Sequence, residues 1–299
     1  IAYNSRSQLV GGGGAVGGSP RGDSSSRSRL GIAVFVIAMA TGSHVAAEPC
    51  TLLVGWEPYA VFTYDGGDGR PMGVDIEMMR RIGQHAGCAI EFRELPWTRI
   101  LLELQAGHID ATTSVQHTPE RDGFAYFSIP YRKGELALFT RKGQSSVLRI
   151  DGIGEWADTG KRLGVILGYS YGPDVDRILA RPDVVALTDV APDYATAIRM
   201  LVSGRTDAFL SEDVNVMAGE AAALGVADAI DRHPAHVPAT EYHVMFSRET
   251  VPPEVVSAAD QMIDQMKRNG ELDALIEHHR SHPHERAADS GSDQGRPEP

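Results

Sequence analysis

The sequence has no long hydrophobic run. Its longest, residues 30–41, contains about a dozen residues, whereas a helix that crosses a bilayer needs about 20. The run follows Arg27 and Arg29 and precedes the small residues SHVAA, an order that is typical of a secretory signal peptide. We therefore expect residues 1–47 to be a leader and signal peptide, cleaved near Ala47, and the mature protein to be periplasmic. The alternative is a signal anchor that stays uncleaved.

Basic residues are also scarce. The chain carries 28 Lys and Arg against 40 Asp and Glu, which gives a formal net charge of −12. Proteins that bind nucleic acid or anionic membrane surfaces concentrate positive charge on the binding face. Neither is therefore an expected partner.

Patterns for catalysis, phosphate binding or metal binding are lacking too. No Ser/His/Asp or Cys/His arrangement is recognisable, and the glycine-rich residues 11–18 lack both a following helix and the lysine of a phosphate-binding loop. The histidines within residues 278–284 adjoin a C-terminal segment whose composition is typical of disorder. We therefore expect no cofactor, no bound metal, and a disordered tail over residues 281–299.

The chain has only two cysteines, Cys50 and Cys88, and each stands directly before a strand-like run. If these two strands are parallel neighbours, their starts meet. In an oxidising compartment the cysteines would then form a disulfide. By closing a loop in the unfolded chain, it would stabilise the fold by roughly 4 kcal/mol. Two free thiols are the alternative.

Strand-like and helix-like segments alternate along the chain. The patterns predict strands at 51–56 and 89–95, helices at 73–86 and 98–106, and a further strand within the sequence IDATTSV. Such alternation is typical of α/β proteins with a mostly parallel sheet.

One pattern occurs twice. LQAGHIDA at 104–111 and LVSGRTDA at 201–208 share L-x-x-G-x-x-D-A, each at the end of an amphipathic helix. Gly107 and Gly204 can adopt the left-handed conformation that ends a helix, and Asp-Ala then enters a buried strand. One such turn is common in α/β proteins, but two indicate a pair of equivalent lobes.

The second lobe is expected to lie between two crossings of the chain, near residues 132–140 and 238–246, where alternating runs flank the central region. Within that region, LGVIL runs into a glycine-rich turn, as the first strand of a second sheet should. The predicted lobe 1 comprises residues 48–136 and 243–280, and the predicted lobe 2 comprises residues 137–242.

Six short motifs follow one another along the chain. They are WEPY at 56–59, GVDIEMM at 73–79, PWTR at 96–99, AGHIDA at 106–111, TPER with FSIPY within 118–131, and GRTDAFLSED at 204–213. In this order and spacing they resemble family 3 of the bacterial extracellular solute-binding proteins, the polar amino-acid-binding components of ABC importers. The resemblance implies two lobes, each a mostly parallel sheet flanked by helices, joined by two crossover strands. Such lobes close like a Venus flytrap over a ligand bound at the strand ends.

The resemblance also implies a binding site with a cation and aromatic walls. Arg121 stands where the family's arginine grips a ligand carboxylate with two charge-assisted hydrogen bonds. Trp56 and Trp97 stand where aromatic residues sandwich the ligand side chain. Alternatively, Arg121 pairs with a neighbouring acidic residue at the surface, and either tryptophan belongs to the core.

Two loops are expected to supply hydroxyls and backbone amides. Thr113, Ser114 and Gln116 lie in the stretch before the T-x-x-R arginine, which is about one residue shorter here than in the family pattern. Tyr169 and Ser170 follow LGVIL and match a turn that helps to hold the ligand carboxylate. The alternative is that these residues only form turns and helix caps.

An acid in the second lobe is expected to receive the ammonium group of an amino acid. The family has an aspartate five positions after the aspartate of the second D-A pair, where this chain has Glu212, followed by Asp213. The resemblance implies that one of the two binds the ammonium. Alternatively, both are solvated acids that the dipole at a helix N-terminus favours.

The expected function is therefore that of a non-catalytic binding protein. It would capture an amino acid or another small carboxylate as a monomer and deliver it to the membrane permease of an ABC importer. Two other functions fit the same scaffold. One is a free sensor that docks on a receptor, and the other is an enzyme similar to cyclohexadienyl dehydratases, with Glu212 or Asp213 as its acid or base.

Overall fold

A computed structural model of the chain describes residues 50–67 and 69–281. The expected leader, signal peptide and C-terminal tail lie outside these residues. The strands are β1 Cys50–Trp56, β2 Tyr64–Asp65, β3 Pro71–Met72, β4 Cys88–Glu94, β5 Ala111–Val115, β6 Ala125–Phe127, β7 Arg132–Gly134, β8 Ala137–Arg141, β9 Leu163–Ile166, β10 Thr188–Ala191, β11 Ala208–Ser211, β12 Ile230–Arg232 and β13 Thr240–Ser247. The α-helices are α1 Val74–Ala86, α2 Trp97–Gln105, α3 Trp156–Thr159, α4 Pro173–Leu179, α5 Pro182–Val185, α6 Tyr194–Val202, α7 Val214–Ala223, α8 Pro253–Arg268 and α9 Glu271–Ser281.

Two sheets organise these elements. The first has the order β4-β1-β5-β13-β6, with β7 also paired to β13, and the second has the order β10-β9-β11-β8-β12. In each sheet three neighbouring strands are parallel and a fourth, β13 or β8, joins them antiparallel. We call the parts of the chain built on these sheets the first lobe and the second lobe. The predicted two-lobed α/β fold is confirmed, and its sheets are mixed because the strands next to the crossings run antiparallel.

Helices cover the sheets with apolar faces. In the first lobe α1 packs against α8 and α9, and its Met78, Met79 and Ile82 are fully buried. The second lobe buries Trp156 completely. None of the helices described between residues 50 and 281 is both long enough and apolar enough to cross a membrane.

The chain crosses between the lobes on two strands that pair with each other. β7 and the start of β13 are antiparallel, with Gly134 opposite Thr240 and Arg132 opposite Tyr242. Gly134 allows this close approach, since a Cβ atom there would lie 2.1 Å from the Tyr242 ring. The connection between the lobes is therefore a two-stranded ribbon, close to the predicted crossings.

The repeated pattern forms the same turn in both lobes. Its two glycines have φ values of 71° and 79°, as predicted. In the first lobe, Asp110 donates its N–H to Leu53 O over 2.8 Å and accepts Leu53 N–H on Oδ2 over 2.7 Å. In the second, Asp207 makes the same pair of hydrogen bonds with Arg162, over 2.8 and 2.9 Å. The aspartate thus joins two adjacent parallel strands before their ladder begins.

Cys50 and Cys88 stand opposite each other at the starts of β1 and β4. Their Cα atoms are 4.5 Å apart, and the two residues form a disulfide. The expected disulfide is confirmed, and it closes a loop over a sequence separation of 38 residues.

Replacing both cysteines by serine should lower the free energy of unfolding by about 4 kcal/mol, because the unfolded chain regains the freedom of this loop. Chemical denaturation of the variant and of the oxidised parent measures the difference. The reduced parent is the matched control and should unfold with the variant. Equal stability of the oxidised parent and the variant would contradict the loop-closure argument.

Candidate functional site

A cavity lies between the lobes, where the carboxyl ends of parallel strands from both sheets face each other. This is where open α/β sheets bind ligands. The space within it, including the part that is open to solvent, is about 400 Å³. It is lined by Trp56, Glu57, Tyr59, Thr63, Trp97, Ile100, Thr112, Thr113, Ser114, Gln116, Tyr169 and Glu212.

The structure brings most of the predicted site residues to this cavity. Those that line it are Trp56, Trp97, Thr113, Ser114, Gln116, Tyr169 and Glu212. Arg121, Ser170 and Asp213 are buried nearby but do not line it. Each of these three is held by other groups of the protein.

Glu212 reaches the cavity from the loop after β11. Its Oε1 accepts a hydrogen bond from Tyr59 Oη over 2.8 Å, and its Oε2 accepts one from Gln116 Nε2 over 2.7 Å. Tyr242 fixes the backbone by donating to Glu212 O over 2.7 Å. Because Tyr59 and Gln116 belong to the first lobe, the carboxyl group of Glu212 bridges the two lobes.

Asp213, the next residue, points away from the cavity. It forms the N-cap of α7, where its Oδ1 accepts the N–H of Asn215 over 2.8 Å. Its Oδ2 forms a salt bridge with Arg132 Nη1 over 2.9 Å, and both side chains are 3% exposed. Of the two adjacent acids, only Glu212 therefore remains for a ligand.

Arg121 and Trp97 meet the second lobe at one carbonyl oxygen. Gly168 O accepts hydrogen bonds from Trp97 Nε1 over 2.9 Å and from Arg121 Nη2 over 3.2 Å. The Arg121 guanidinium lies 5.5 Å from the centre of the Trp97 ring, and its Nη1 donates to Gln116 O over 2.8 Å. Gly168 has a φ of 76°, and a Cβ atom there would lie 3.4 Å from the Trp97 ring. Arg121 thus lies at the edge of the cavity, where the first lobe contacts the second lobe at Gly168.

The hydroxyls of the two predicted serines are engaged within the protein. Ser170 Oγ donates to Asp176 Oδ2 over 2.5 Å, at the start of α4. Ser114 has a φ of 56°, and its Oγ donates to Asp75 Oδ2 over 2.7 Å and accepts from Arg132 Nη2 over 2.9 Å. Neither serine hydroxyl is therefore free for a ligand in this arrangement.

Glu57 was not among the predicted site residues. Its Oε1 accepts from Tyr169 Oη over 2.7 Å, and its Oε2 accepts from the Trp97 N–H over 2.9 Å. It is a second carboxyl group that joins the lobes. Glu57 directly follows Trp56 in the WEPY motif, so its position after β1 was the sequence signal for it.

Burial changes the acidity of both carboxyl groups. It raises the pKa of Glu57 from 4.5 to about 7 and that of Glu212 from 4.5 to about 8. Hydrogen bonds from Gln116 and Tyr59 oppose the rise in the pKa of Glu212. At neutral pH Glu57 is therefore partly protonated and Glu212 mostly protonated, and a positive charge in the cavity would favour their ionised forms.

The stability of the Glu212→Gln variant should fall less than that of the parent as the pH rises. The folded protein keeps the Glu212 proton up to about pH 8, whereas the unfolded chain releases it near pH 4.5, so the parent loses stability as the pH rises through this interval. Glutamine does not titrate. The melting temperature of the variant minus that of the parent should therefore increase with pH and level off above about pH 8.

Thermal unfolding without ligand across pH 4.5 to 9 measures this difference. Glu91→Gln is the matched control, because Glu91 is exposed on β4, and its difference from the parent should stay constant. A constant difference for Glu212→Gln as well would contradict the account of this carboxyl group.

Comparison with curated proteins finds relatives named for amino-acid binding. A Haemophilus influenzae protein named "Probable amino-acid ABC transporter-binding protein" is 25% identical over 189 residues, which cover 60% of this chain and 69% of that protein. The L-cystine-binding protein TcyJ of Escherichia coli K12 is 29% identical over 167 residues, which cover 54% of this chain and 59% of TcyJ.

Solved structures share the fold. An amino acid ABC transporter substrate-binding protein from Streptococcus pneumoniae, bound to L-arginine, superposes with a TM-score of 0.65 at 23% identity, covering 78% of this chain and 95% of that chain. An ancestral arginine-binding protein bound to arginine superposes with a TM-score of 0.64 at 24% identity, covering 76% of this chain and 97% of that chain. The family model of the bacterial extracellular solute-binding proteins, family 3, matches residues 52–282. The chain belongs to this family.

Proposed function

We propose that the protein captures a small polar ligand, an amino acid, by closing its two lobes, and delivers it to the permease of an ABC importer. The observation that carries this proposal is the set of polar contacts across the cavity. Glu57, Trp97 and Gln116 of the first lobe each hydrogen-bond to the second lobe at the cavity wall. A ligand between these groups would touch both lobes at once and favour the closed form.

The hinge of this movement is the ribbon of β7 and β13. β13 continues into the sheet of the first lobe, and β7 leads into β8 of the second lobe. A change in the twist of this ribbon would therefore rotate one lobe against the other. For this movement we assign residues 48–136 and 243–280 to one rigid lobe and residues 137–242 to the other.

The proposed ligand class rests on two charged groups that belong to different lobes. Glu212 is placed to receive an ammonium group. Arg121, at the cavity edge, would turn its donors from the Gly168 carbonyl to a ligand carboxylate, because an ionised acceptor makes the stronger hydrogen bond. Trp56 and Trp97 would flank the ligand side chain. The names of the two curated relatives, which refer to amino acids and to cystine, support the same class.

The compartment and partner are part of the proposal. The disulfide between Cys50 and Cys88 fits an oxidising compartment, in agreement with export to the periplasm and cleavage near Ala47. We propose a monomer that docks on the permease. If it docks on a receptor as a sensor instead, a mutant cell lacking the protein would keep its amino-acid uptake and lose a response to the amino acid.

We further propose that the protein does not turn its ligand over. The observation that favours an enzyme is the pair of buried carboxyl groups, since Glu212 with a pKa of about 8 and Glu57 with a pKa of about 7 suit an acid and a base near neutral pH. Incubation with prephenate or arogenate tests this alternative. Product formation that is lost in Glu212→Gln would replace binding by catalysis.

Arg121→Ala should weaken binding of the amino acid that a thermal-shift screen of the twenty common amino acids selects. Loss of the charge-assisted hydrogen bonds to the carboxylate should cost about 2–4 kcal/mol, or roughly thirty-fold to a thousand-fold in affinity. Isothermal titration calorimetry measures the dissociation constants of parent and variant.

Arg149→Ala is the matched control. It also removes one positive charge, but from an exposed position of the second lobe, and should bind like the parent. If Arg121→Ala retains the parent's affinity while remaining folded, the carboxylate does not bind at this arginine and the assignment of ligand groups fails.

A further inference from the structure

Two oppositely charged side chains near the crossing between the lobes each keep one atom without a hydrogen-bond partner. They are Asp75, in the first turn of α1, and Arg132, on β7. Asp75 is 0% exposed and Arg132 is 7% exposed. Among the residues that the structure describes, Asp75 Oδ1 and Arg132 Nε share this property with only one other buried side-chain atom, Thr206 Oγ1. One of the pair is an acceptor on a carboxyl group, and the other is a donor on a guanidinium.

A single hydroxyl group separates these two side chains. Ser114 Oγ accepts from Arg132 Nη2 over 2.9 Å and donates to Asp75 Oδ2 over 2.7 Å. Burial raises the pKa of the Asp75 carboxyl, and the positive charge of Arg132 opposes this rise. The hydroxyl of Thr113 is near enough to lower this pKa as well, but Oδ1 has no hydrogen-bond partner within the protein. The carboxyl and the guanidinium are therefore close without pairing directly.

Arg132 is kept from Asp75 by its contact with the second lobe. Its Nη1 binds Asp213 Oδ2 over 2.9 Å. The rings of Phe62 and Tyr242 lie 3.6 and 3.7 Å from the guanidinium. Rings at this distance prevent the planar group from tilting but let it turn within its own plane. The direction of its donors is thus set by whichever carboxylate is within reach.

We propose that Arg132 exchanges partners as the lobes move, binding Asp213 in the closed form and Asp75 in the open form. The inference rests on the lobe movement of the proposed function, because Asp213 leaves Arg132 only if the second lobe moves against the first. Arg132 Nε then turns to Asp75 Oδ1, and both unpartnered atoms are satisfied. Since an unpaired buried polar group costs free energy, this pairing stabilises the open form.

The competition between the two carboxylates sets the fraction of ligand-free protein that is closed. Neither Asp75 nor Asp213 lines the cavity, and Arg132 does not line it either. Replacing one of the carboxylates therefore alters ligand binding through the closure equilibrium, because the apparent affinity is proportional to the population of the competent form.

Asp75→Asn and Asp213→Asn are the test pair, since each removes one of the two competing partners. Small-angle X-ray scattering without ligand at pH 9, above the pKa of Glu57 and of Glu212, should give a smaller radius of gyration for Asp75→Asn than for the parent. Asp213→Asn should give a radius at least as large as that of the parent.

Calorimetry at the same pH should show opposite changes in affinity. The titrant is the one of the twenty common amino acids that shifts the melting temperature of the parent most. Asp75→Asn should bind it about three- to tenfold tighter than the parent, and Asp213→Asn about tenfold weaker. Removing a negative charge near the cavity would by itself weaken binding of an ammonium group, so tighter binding by Asp75→Asn distinguishes the exchange from an effect of net charge.

Asp264→Asn is the matched control. It removes the same charge from α8, where the side chain of Asp264 is 54% exposed. Its radius should equal that of the parent, and its affinity should stay within about twofold. Equal radii for Asp75→Asn and Asp213→Asn, or weaker binding by both, would leave Asp75 with a purely structural role and overturn the proposal.

The remaining outcomes separate this inference from the proposed function. If no amino acid binds, the proposed function falls, and the ligand-free radii still decide the exchange of partners. Should Asp75→Asn fail to fold, proton NMR of the parent at pH 9 decides. The Arg132 Nε–H should resonate further downfield without amino acid than at saturation, because it then donates to a carboxylate. An unchanged or opposite shift would overturn the proposal.

Discussion

The arrangement between the lobes depends on one buried guanidinium group, that of Arg132 on β7. Phe62 and Tyr242 enclose it, with ring centres 3.6 and 3.7 Å away. Its Nη1 binds Asp213 of the second lobe and its Nη2 binds Ser114 of the first, each over 2.9 Å. A buried ion pair does not add stability in general, but breaking one by removing a single partner costs about 3–5 kcal/mol. Both lobes are therefore fixed to the crossing strand at one point.

The properties of the cavity follow from this constraint. Because Arg132 and the start of α7 hold Asp213, its neighbour Glu212 points toward Tyr59 and Gln116. When the lobes meet, Glu212 and Glu57 lose water, and burial raises the pKa of each. An open cleft hydrates both carboxyl groups, whereas a closed cleft needs a positive charge to keep them ionised. A ligand that carries this charge binds the closed form better than the open one, which is the condition for a ligand to shift the equilibrium.

Much of the fold was predictable because its signals are local and repeated. The L-x-x-G-x-x-D-A turn occurs once in each lobe, and Cys50 and Cys88 mark the starts of neighbouring strands. Most of the predicted site residues follow the carboxyl ends of strands, and this position in the chain places them at the cavity. What the sequence could not provide is the direction of individual side chains. The hydroxyl of Ser170 is taken by Asp176, six positions along the chain, and Arg132 meets its partners only once both crossings are paired. Glu57 was not predicted because its position after β1 does not by itself show that its side chain contacts the second lobe at the cavity.

Closure around an amino acid is the central claim, and small-angle X-ray scattering tests it most directly. At pH 9, above the pKa of both carboxyl groups, the radius of gyration of the purified protein should be larger without ligand than with a saturating amino acid selected by thermal shift. The contacts across the cavity hold the lobes together only when these carboxyl groups are protonated or compensated by a positive charge. The scattering curve with ligand should match the one calculated for the structure described above. Identical curves with and without a ligand that calorimetry shows to be bound would contradict closure, and with it the role given to the ribbon of β7 and β13.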